Sequence, residues 1–172
     1  DYPMKLKPNL ERWVRPGWSG TNVVGTGAAG VIYYIPIFVS ETTTYIRIGV
    51  EVTTGVAGSC DLRIFAWNNG VPGALTLSAG TVDTSTSGFK EIIISQQLTR
   101  GYYFLASRST ADTSLRGLTN AQFIAPVSNA KVTNTLSDLY VIMRVTAEYA
   151  DPAPAPTSMY LSDCAVVQLR EN

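Results

Sequence analysis

Trp67, Asn68 and Asn69 are consecutive residues whose side chains could form a carbohydrate site. An indole face can stack on a sugar ring while neighbouring amide groups donate and accept hydrogen bonds, so such a site needs no catalytic group. The alternative is structural. Trp67 would then cover a turn, and Asn68 would supply the positive φ that the turn requires.

Asp112 and Arg116 are further candidates for this site because they fall in a long connection predicted over residues 107–120. Long loops on a rigid scaffold often carry function. The sequence therefore predicts weak glycan recognition at the loop end of the fold by Trp67, Asn68 and Asn69 together with Asp112 and Arg116.

Catalysis is limited by the absence of histidine from the chain. Histidine is the most common general base, so a Ser-His-Asp or Cys-His mechanism cannot operate within this chain. Glycosidases need only two carboxylates. Asp61, Asp83, Glu51 and others are present, but their spacing does not pair them, and surface carboxylates are the simpler interpretation. We expect no enzyme, with a glycan-cleaving activity as the weaker alternative.

Metals, cofactors and nucleic acids are not expected as partners. Cys60 and Cys164 follow no metal-ligand spacing and are expected to be small buried side chains, although a disulfide stays possible. The run GTGAAG at 25–30 opens no helix, so a turn explains it better than a phosphate loop. The 13 basic residues balance the 13 acidic ones, which does not favour nucleic acid. No apolar run reaches the length of a membrane-spanning helix.

Alternating apolar and polar residues dominate the chain and predict strands. Eight or nine such segments predict an all-β fold, an antiparallel β-sandwich that is jelly-roll-like. The residues predicted to be buried are Ile46, Ile48, Val50, Leu62, Ile64, Val141, Met143 and Val145.

Turn residues separate these segments. Asn-Gly at 69–70 predicts a tight turn, and Pro72 with Gly73 predicts a second one. The polar run DTSTSG predicts a loop between strands. The proline-rich run DPAPAPTS, at 151–158, is expected to cross the surface in extended form, because proline has no N–H group for a central strand.

The first residues differ from the rest and divide the chain into two parts: an extended lead-in or connector over 1–29 and the β-sandwich domain over 30–172. Leu10, Trp13 and Trp18 are candidate anchors of an oligomer interface. Packing within the same chain is the alternative for the two tryptophans.

The order of these motifs resembles a β-sandwich domain found near the C-termini of bacteriophage tail-fibre and other virion-fibre proteins. The similar segments are NNGVPGAL, AGTVDTSTSGFKEI and QLTRGYYFLAS, preceded by YYIPIFVSETTTYIRIGVEVTTG and followed by PAPAPTSMYLSDCAVVQL. The resemblance covers about residues 30 to 169.

This resemblance implies a virion protein made in the host cytoplasm, usually a homotrimer, whose partners are its own copies, other virion proteins and host-surface polysaccharide. A purely architectural virion piece without a ligand site, such as a capsid fibre, decoration or baseplate domain, is the alternative. Neither interpretation includes a cofactor or membrane insertion.

Overall fold

The computed structural model describes residues 13–14, 23–118, 142–160 and 164–172. Every regular element in these ranges is a β-strand. The strands form two antiparallel sheets that pack against each other. The strands are numbered β1 to β13 in chain order. The predicted all-β antiparallel sandwich is confirmed.

One sheet has six strands. In order across the sheet they are β11 (Ser158–Tyr160), β10 (Ile142–Thr146), β3 (Val31–Val39), β8 (Gly101–Ser109), β5 (Ser59–Asn68) and β6 (Val71–Asp83). The central strands β3 and β8 pair along nearly their whole length, from Ile32 opposite Arg108 to Val39 opposite Gly101. This sheet carries Trp67 near the end of β5.

The other sheet has seven strands. They are β1 (Trp13–Val14), β2 (Val23–Gly27), β4 (Thr43–Thr54), β7 (Gly88–Leu98), β9 (Thr113–Leu118), β12 (Cys164–Ala165) and β13 (Gln168–Glu171). The long strand β4 pairs with β7, β13 and β9.

Two described parts of the predicted lead-in segment belong to this second sheet. Trp13 pairs with Arg170 in β13, and the whole of β2 pairs with β9. Residues 13–14 and 23–27 are therefore strands of the sandwich and do not form an extended connector outside it.

The main core lies between the sheets and follows the predicted alternation. Ile48 and Val50 of β4 and Leu62 and Ile64 of β5 are fully buried there. The inward-facing residues named on β4 and β5 are therefore those that sequence alternation predicted. The predicted core residue Val141 lies outside the described residues.

The prediction that Ile46 is buried in the core is wrong, because its side chain is only half-buried. A register shift between Tyr45 and Arg47 interrupts the pairing of β4 with β7. Such an irregularity changes which residue faces inward. Tyr45, which is 2% exposed, takes the core position instead.

A second apolar cluster lies on the outer face of the six-stranded sheet. It contains Ile32 and Tyr34 of β3 and Phe104 of β8, all fully buried. Met143 and Val145 are buried as predicted, but they belong to this outer cluster and not to the core between the sheets. The six-stranded sheet therefore has buried apolar residues on both of its faces.

Residues 147–157, here called the strap, cover this outer cluster. The strap leaves β10, crosses to the edge strand β6, and returns to the start of β11. The Ala153 amide donates to the Gly73 carbonyl at 2.9 Å, and the Thr157 amide donates to the Arg144 carbonyl at 3.1 Å. The proline-rich run thus lies across a sheet face, where its missing N–H groups break no ladder.

The prediction of a turn at Pro72–Gly73 is wrong, because both residues lie inside β6. Pro72 is opposite Trp67 in a part of the ladder where the register shifts. An edge strand tolerates proline since one side of its backbone needs no partner. Residues 84–87 do form the predicted loop between β6 and β7.

Candidate functional site

The five predicted glycan residues do not come together. Trp67, Asn68 and Asn69 lie at the end of β5, which we call the upper end of the sandwich. Asp112 follows Ser109, which is opposite Cys60 at the start of β5, and therefore lies at the lower end. Arg116 belongs to β9 in the other sheet.

The predicted long connection over 107–120 is also wrong. β8 continues to Ser109 and β9 begins at Thr113, so the connection is residues 110–112. The end of β8 and the start of β9 were not predicted as strands because their inward-facing side chains are small and polar. Ser107, Ser109 and Thr113 are buried at inward-facing positions where the alternation pattern expects apolar residues.

Asp112 and Arg116 have contacts that explain them structurally. The Asp112 carboxylate accepts a hydrogen bond from the Ala29 amide at 2.8 Å and so ties the start of β3 to the lower end. The Arg116 guanidinium donates two hydrogen bonds to the Glu51 carboxylate, at 3.0 and 3.2 Å. This bidentate pair holds the pKa of Glu51 below its ordinary value.

The Asn69–Gly70 turn has the geometry that its sequence predicts. The φ angles are 49° at Asn69 and 94° at Gly70, and Asn68 pairs with Val71 across the two-residue loop. Positive φ at both central residues is the requirement of a type I′ hairpin turn, which matches the twist of its strands. The predicted positive φ falls on Asn69 and not on Asn68. Both asparagine side chains are exposed.

Trp67 is held by two aromatic neighbours from β8. Its ring stacks on Phe104 with centroids 5.2 Å apart and planes 6° apart, and it contacts Tyr102 at 5.0 Å. Trp67 is half-buried and packs against the outer cluster. Packing is therefore part of its role, and its remaining exposed surface is fixed in position.

The contact of Trp67 with Tyr102 continues to Phe38 on β3. The Phe38 and Tyr102 rings lie 4.9 Å apart, and Phe38 is 44% exposed. We call Phe38, Tyr102 and Trp67 the outer aromatic row. It crosses three neighbouring strands at the upper end of the outer face, the end at which the exposed residues Asn68 and Asn69 also lie.

The strap fixes the rest of this face below the row. Tyr149 of the strap lies 5.9 Å from the Phe65 ring, and its hydroxyl donates to the Asp61 carbonyl at 3.3 Å. The Tyr34 hydroxyl donates to the Pro154 carbonyl at 3.3 Å. Burial raises the pKa of both tyrosines, so both hydroxyls stay protonated as donors.

Two arginines anchor the strap from the sheet. Arg63, paired with Asp61 at 2.9 Å, lies 4.2 Å from the centre of the Tyr149 ring, within the range of a cation–π contact. Arg108 donates to the Ala147 carbonyl at 2.9 Å and pairs with Glu148. These contacts hold the first residues of the strap on the lower part of the face, whereas Ala153 reaches Gly73 near the upper end of β6, next to the outer aromatic row.

Sequence reasoning missed Phe38 and Tyr102, although a signal was present. Aromatic or apolar residues recur at every second position in Ile32, Tyr34, Pro36 and Phe38, and the odd-numbered positions of β3 are also apolar. A strand that is apolar on both faces indicates burial on both faces. This pattern could have identified the outer face of β3 and β8 as an aromatic surface.

The predicted interface anchors are described only at Trp13. Its ring lies 4.9 Å from Phe89 in an edge-to-face contact on the outer face of the seven-stranded sheet. Packing within the same chain therefore accounts for part of its surface. Leu10 and Trp18 lie outside the described residues.

Cys60 is a free thiol and is fully buried. Burial raises its pKa to about 11, so it is a small apolar side chain in its environment, as expected. Within the described ranges, no group of acidic or cysteine side chains is arranged to hold a metal ion. None of the described segments is a helix that could span a membrane.

No family model, curated protein or solved structure matches this chain.

Proposed function

We propose that this chain is a non-enzymatic attachment domain of a virion fibre that binds a surface glycan through the outer aromatic row. The observation that carries the proposal is the contiguous row of Phe38, Tyr102 and Trp67. The exposed residues Asn68 and Asn69 lie at the same end of the sandwich. The virion context rests on the resemblance of the sequence motifs to fibre domains.

The row has the physical properties of a sugar platform. Rings in contact across neighbouring strands offer a broad apolar surface for the C–H face of a pyranose ring. Trp67 is fixed by stacking on Phe104, so little side-chain freedom is lost when a ligand binds. The two asparagine side chains can donate and accept hydrogen bonds with sugar hydroxyls.

Two of the described carboxyl groups are unsuited to donating a proton in glycoside hydrolysis. A glycosidase needs a carboxylic acid whose pKa is raised so that it can donate a proton. The two described carboxyl groups with shifted pKa values, Glu51 and Asp83, are both shifted downward by hydrogen bonds, from Arg116 and from Ser85. Both groups therefore stay ionised and have partners within the chain.

Two phenylalanines provide a matched test. Phe38 is 44% exposed in the aromatic row, and Phe89 is 42% exposed on the outer face of the other sheet. On an array of bacterial surface polysaccharides, Phe38→Ala should weaken glycan binding by about tenfold, the scale of one aromatic contact. Phe89→Ala should bind like the unmodified chain.

Two outcomes would contradict this proposal. If no polysaccharide on the array binds, an architectural virion piece becomes the better interpretation. If Phe38→Ala and Phe89→Ala bind equally, the ligand lies elsewhere on the domain. A reducing-sugar assay on each bound polysaccharide tests the non-enzymatic part, because released sugar would indicate cleavage.

A further inference from the structure

β6 and β7 are edge strands, one in each sheet. They differ in how far their outer backbone groups are prevented from pairing with a further strand. Near its upper end β6 contains Pro72, which has no amide proton, and its Gly73 and Leu75 backbone groups bond to the strap. In contrast, β7 pairs with β4, and none of the other described strands pairs with it. An unprotected edge is a template for another strand.

The sequence of β7 suits such pairing. It contains no proline, and its charges, Lys90 and Glu91, lie in the lower half of the strand. Ile92, Ile93 and Ile94 follow, and Ile93 is 74% exposed, well above the other large apolar side chains described. Exposure alternates regularly along the strand even where its register with β4 shifts.

We propose that β7 pairs antiparallel with β7 of a second copy of this chain, so that the seven-stranded sheet continues across a two-fold axis. With the axis at Ile93, the midpoint of Gly88–Leu98, every residue of the strand has a partner. Ile93 then faces Ile93 of the other copy. The remaining facing pairs are Ile92–Ile94, Glu91–Ser95, Lys90–Gln96, Phe89–Gln97 and Gly88–Leu98.

Charge makes a second copy a suitable occupant of this edge. Like charges directly opposite each other destabilise a strand pair. A two-fold axis at Lys90 would place Lys90 opposite Lys90 of the other copy, and an axis at Glu91 would do the same for Glu91. The axis at Ile93 instead places Lys90 opposite Gln96 and Glu91 opposite Ser95, which are both neutral. This register combines three isoleucine pairs with no charge repulsion, and it gives a dimer instead of the homotrimer that the resemblance implies.

Charge substitutions on one face of β7 test the register. Ile93→Lys puts two ammonium groups opposite each other and should raise the dimer dissociation constant by about tenfold or more. Ser95→Lys adds the same charge two residues away, but it faces Glu91 of the second copy and should leave the dimer at least as stable. Sedimentation equilibrium of the full chain measures both constants.

Cysteine cross-linking gives an independent result. Directly opposed residues of an antiparallel pair lie within disulfide distance. Ile93→Cys should therefore form a covalent dimer under mild oxidation, and Ser78→Cys, at an exposed position of β6, should not. A monomeric chain, or an oligomer that Ile93→Lys and Ser95→Lys affect equally, would overturn the proposal. A cooperative unfolding transition in the melting curve of each variant shows that it is folded.

Discussion

The outer face of the six-stranded sheet is aromatic and covered by the strap, whereas the outer face of the seven-stranded sheet carries partly exposed ion pairs and the Trp13–Phe89 ring pair. On the first face, Phe65 and Phe104 are fully buried. On the second, Arg47 pairs with Glu91 at 3.3 Å, and Phe89 stays 42% exposed. The two faces therefore contribute differently to stability and to recognition.

The difference comes from what lies over each sheet. The strap removes most of the first face from water and turns it into a second core, so apolar burial stabilises it. The outer aromatic row remains beside the strap as the part of this core that reaches the surface. On the second face, charged pairs remain partly exposed and contribute little to stability.

The largest expected contrast is between two aspartate substitutions on β10. Met143 is 3% exposed in the outer cluster, and Met143→Asp would bury a charge without a partner. We expect a loss of more than about 4 kcal/mol in the free energy of unfolding. Thr146→Asp, at an exposed position of the same strand, should be mild. Denaturant unfolding that gave the reverse order would mean that the register of β10 is off by one residue.

A second contrast compares phenylalanines on the two faces. Phe104 is fully buried beneath Trp67, and Phe104→Ala should lower the free energy of unfolding by about 3–5 kcal/mol because it leaves a cavity. Phe89→Ala removes a partly exposed ring and should lower it by about 1 kcal/mol or less. Equal losses in thermal melts would show that the outer aromatic cluster is not a second core.

The fold could be predicted from the sequence where one face of each strand is polar. The alternation of Ile48, Val50 and Val52 on β4, and of Cys60, Leu62 and Ile64 on β5, gave the correct inward faces. The Asn69–Gly70 turn was predictable because few residue pairs tolerate two positive φ angles. Local chemistry was sufficient in both cases.

The candidate site could be predicted only in part. Trp67 and the asparagines are local in sequence, but their neighbours Phe38 and Tyr102 come from other strands, and which strands are adjacent follows from long-range pairing. Asp112 and Arg116 were misplaced because buried Ser107, Ser109 and Thr113 made two strands resemble a loop. Sequence spacing carries no information about such polar groups inside a core.

The smallest expected effect lies on the outer face of the seven-stranded sheet, at the pair of Glu51 and Arg116. The hydrogen bond from Arg116 lowers the pKa of Glu51 from its ordinary value of 4.5. A carboxyl group whose pKa is lower in the folded state stabilises the fold above its unfolded pKa. That contribution is lost as the pH falls through the lower, folded value.

Glu51→Gln should therefore lower the melting temperature at neutral pH and have progressively less effect below about pH 4. Both side chains are about one-third exposed, so the shift at neutral pH should be less than about 2 °C and should shrink in high salt. Glu148→Gln is the matched control because its partner, Arg108, also donates to the Ala147 carbonyl and keeps that contact. Melting curves recorded from pH 3 to 7 would contradict this reasoning if Glu51→Gln lowered the melting temperature more at acidic pH than at neutral pH, since the ion pair would then not be its cause.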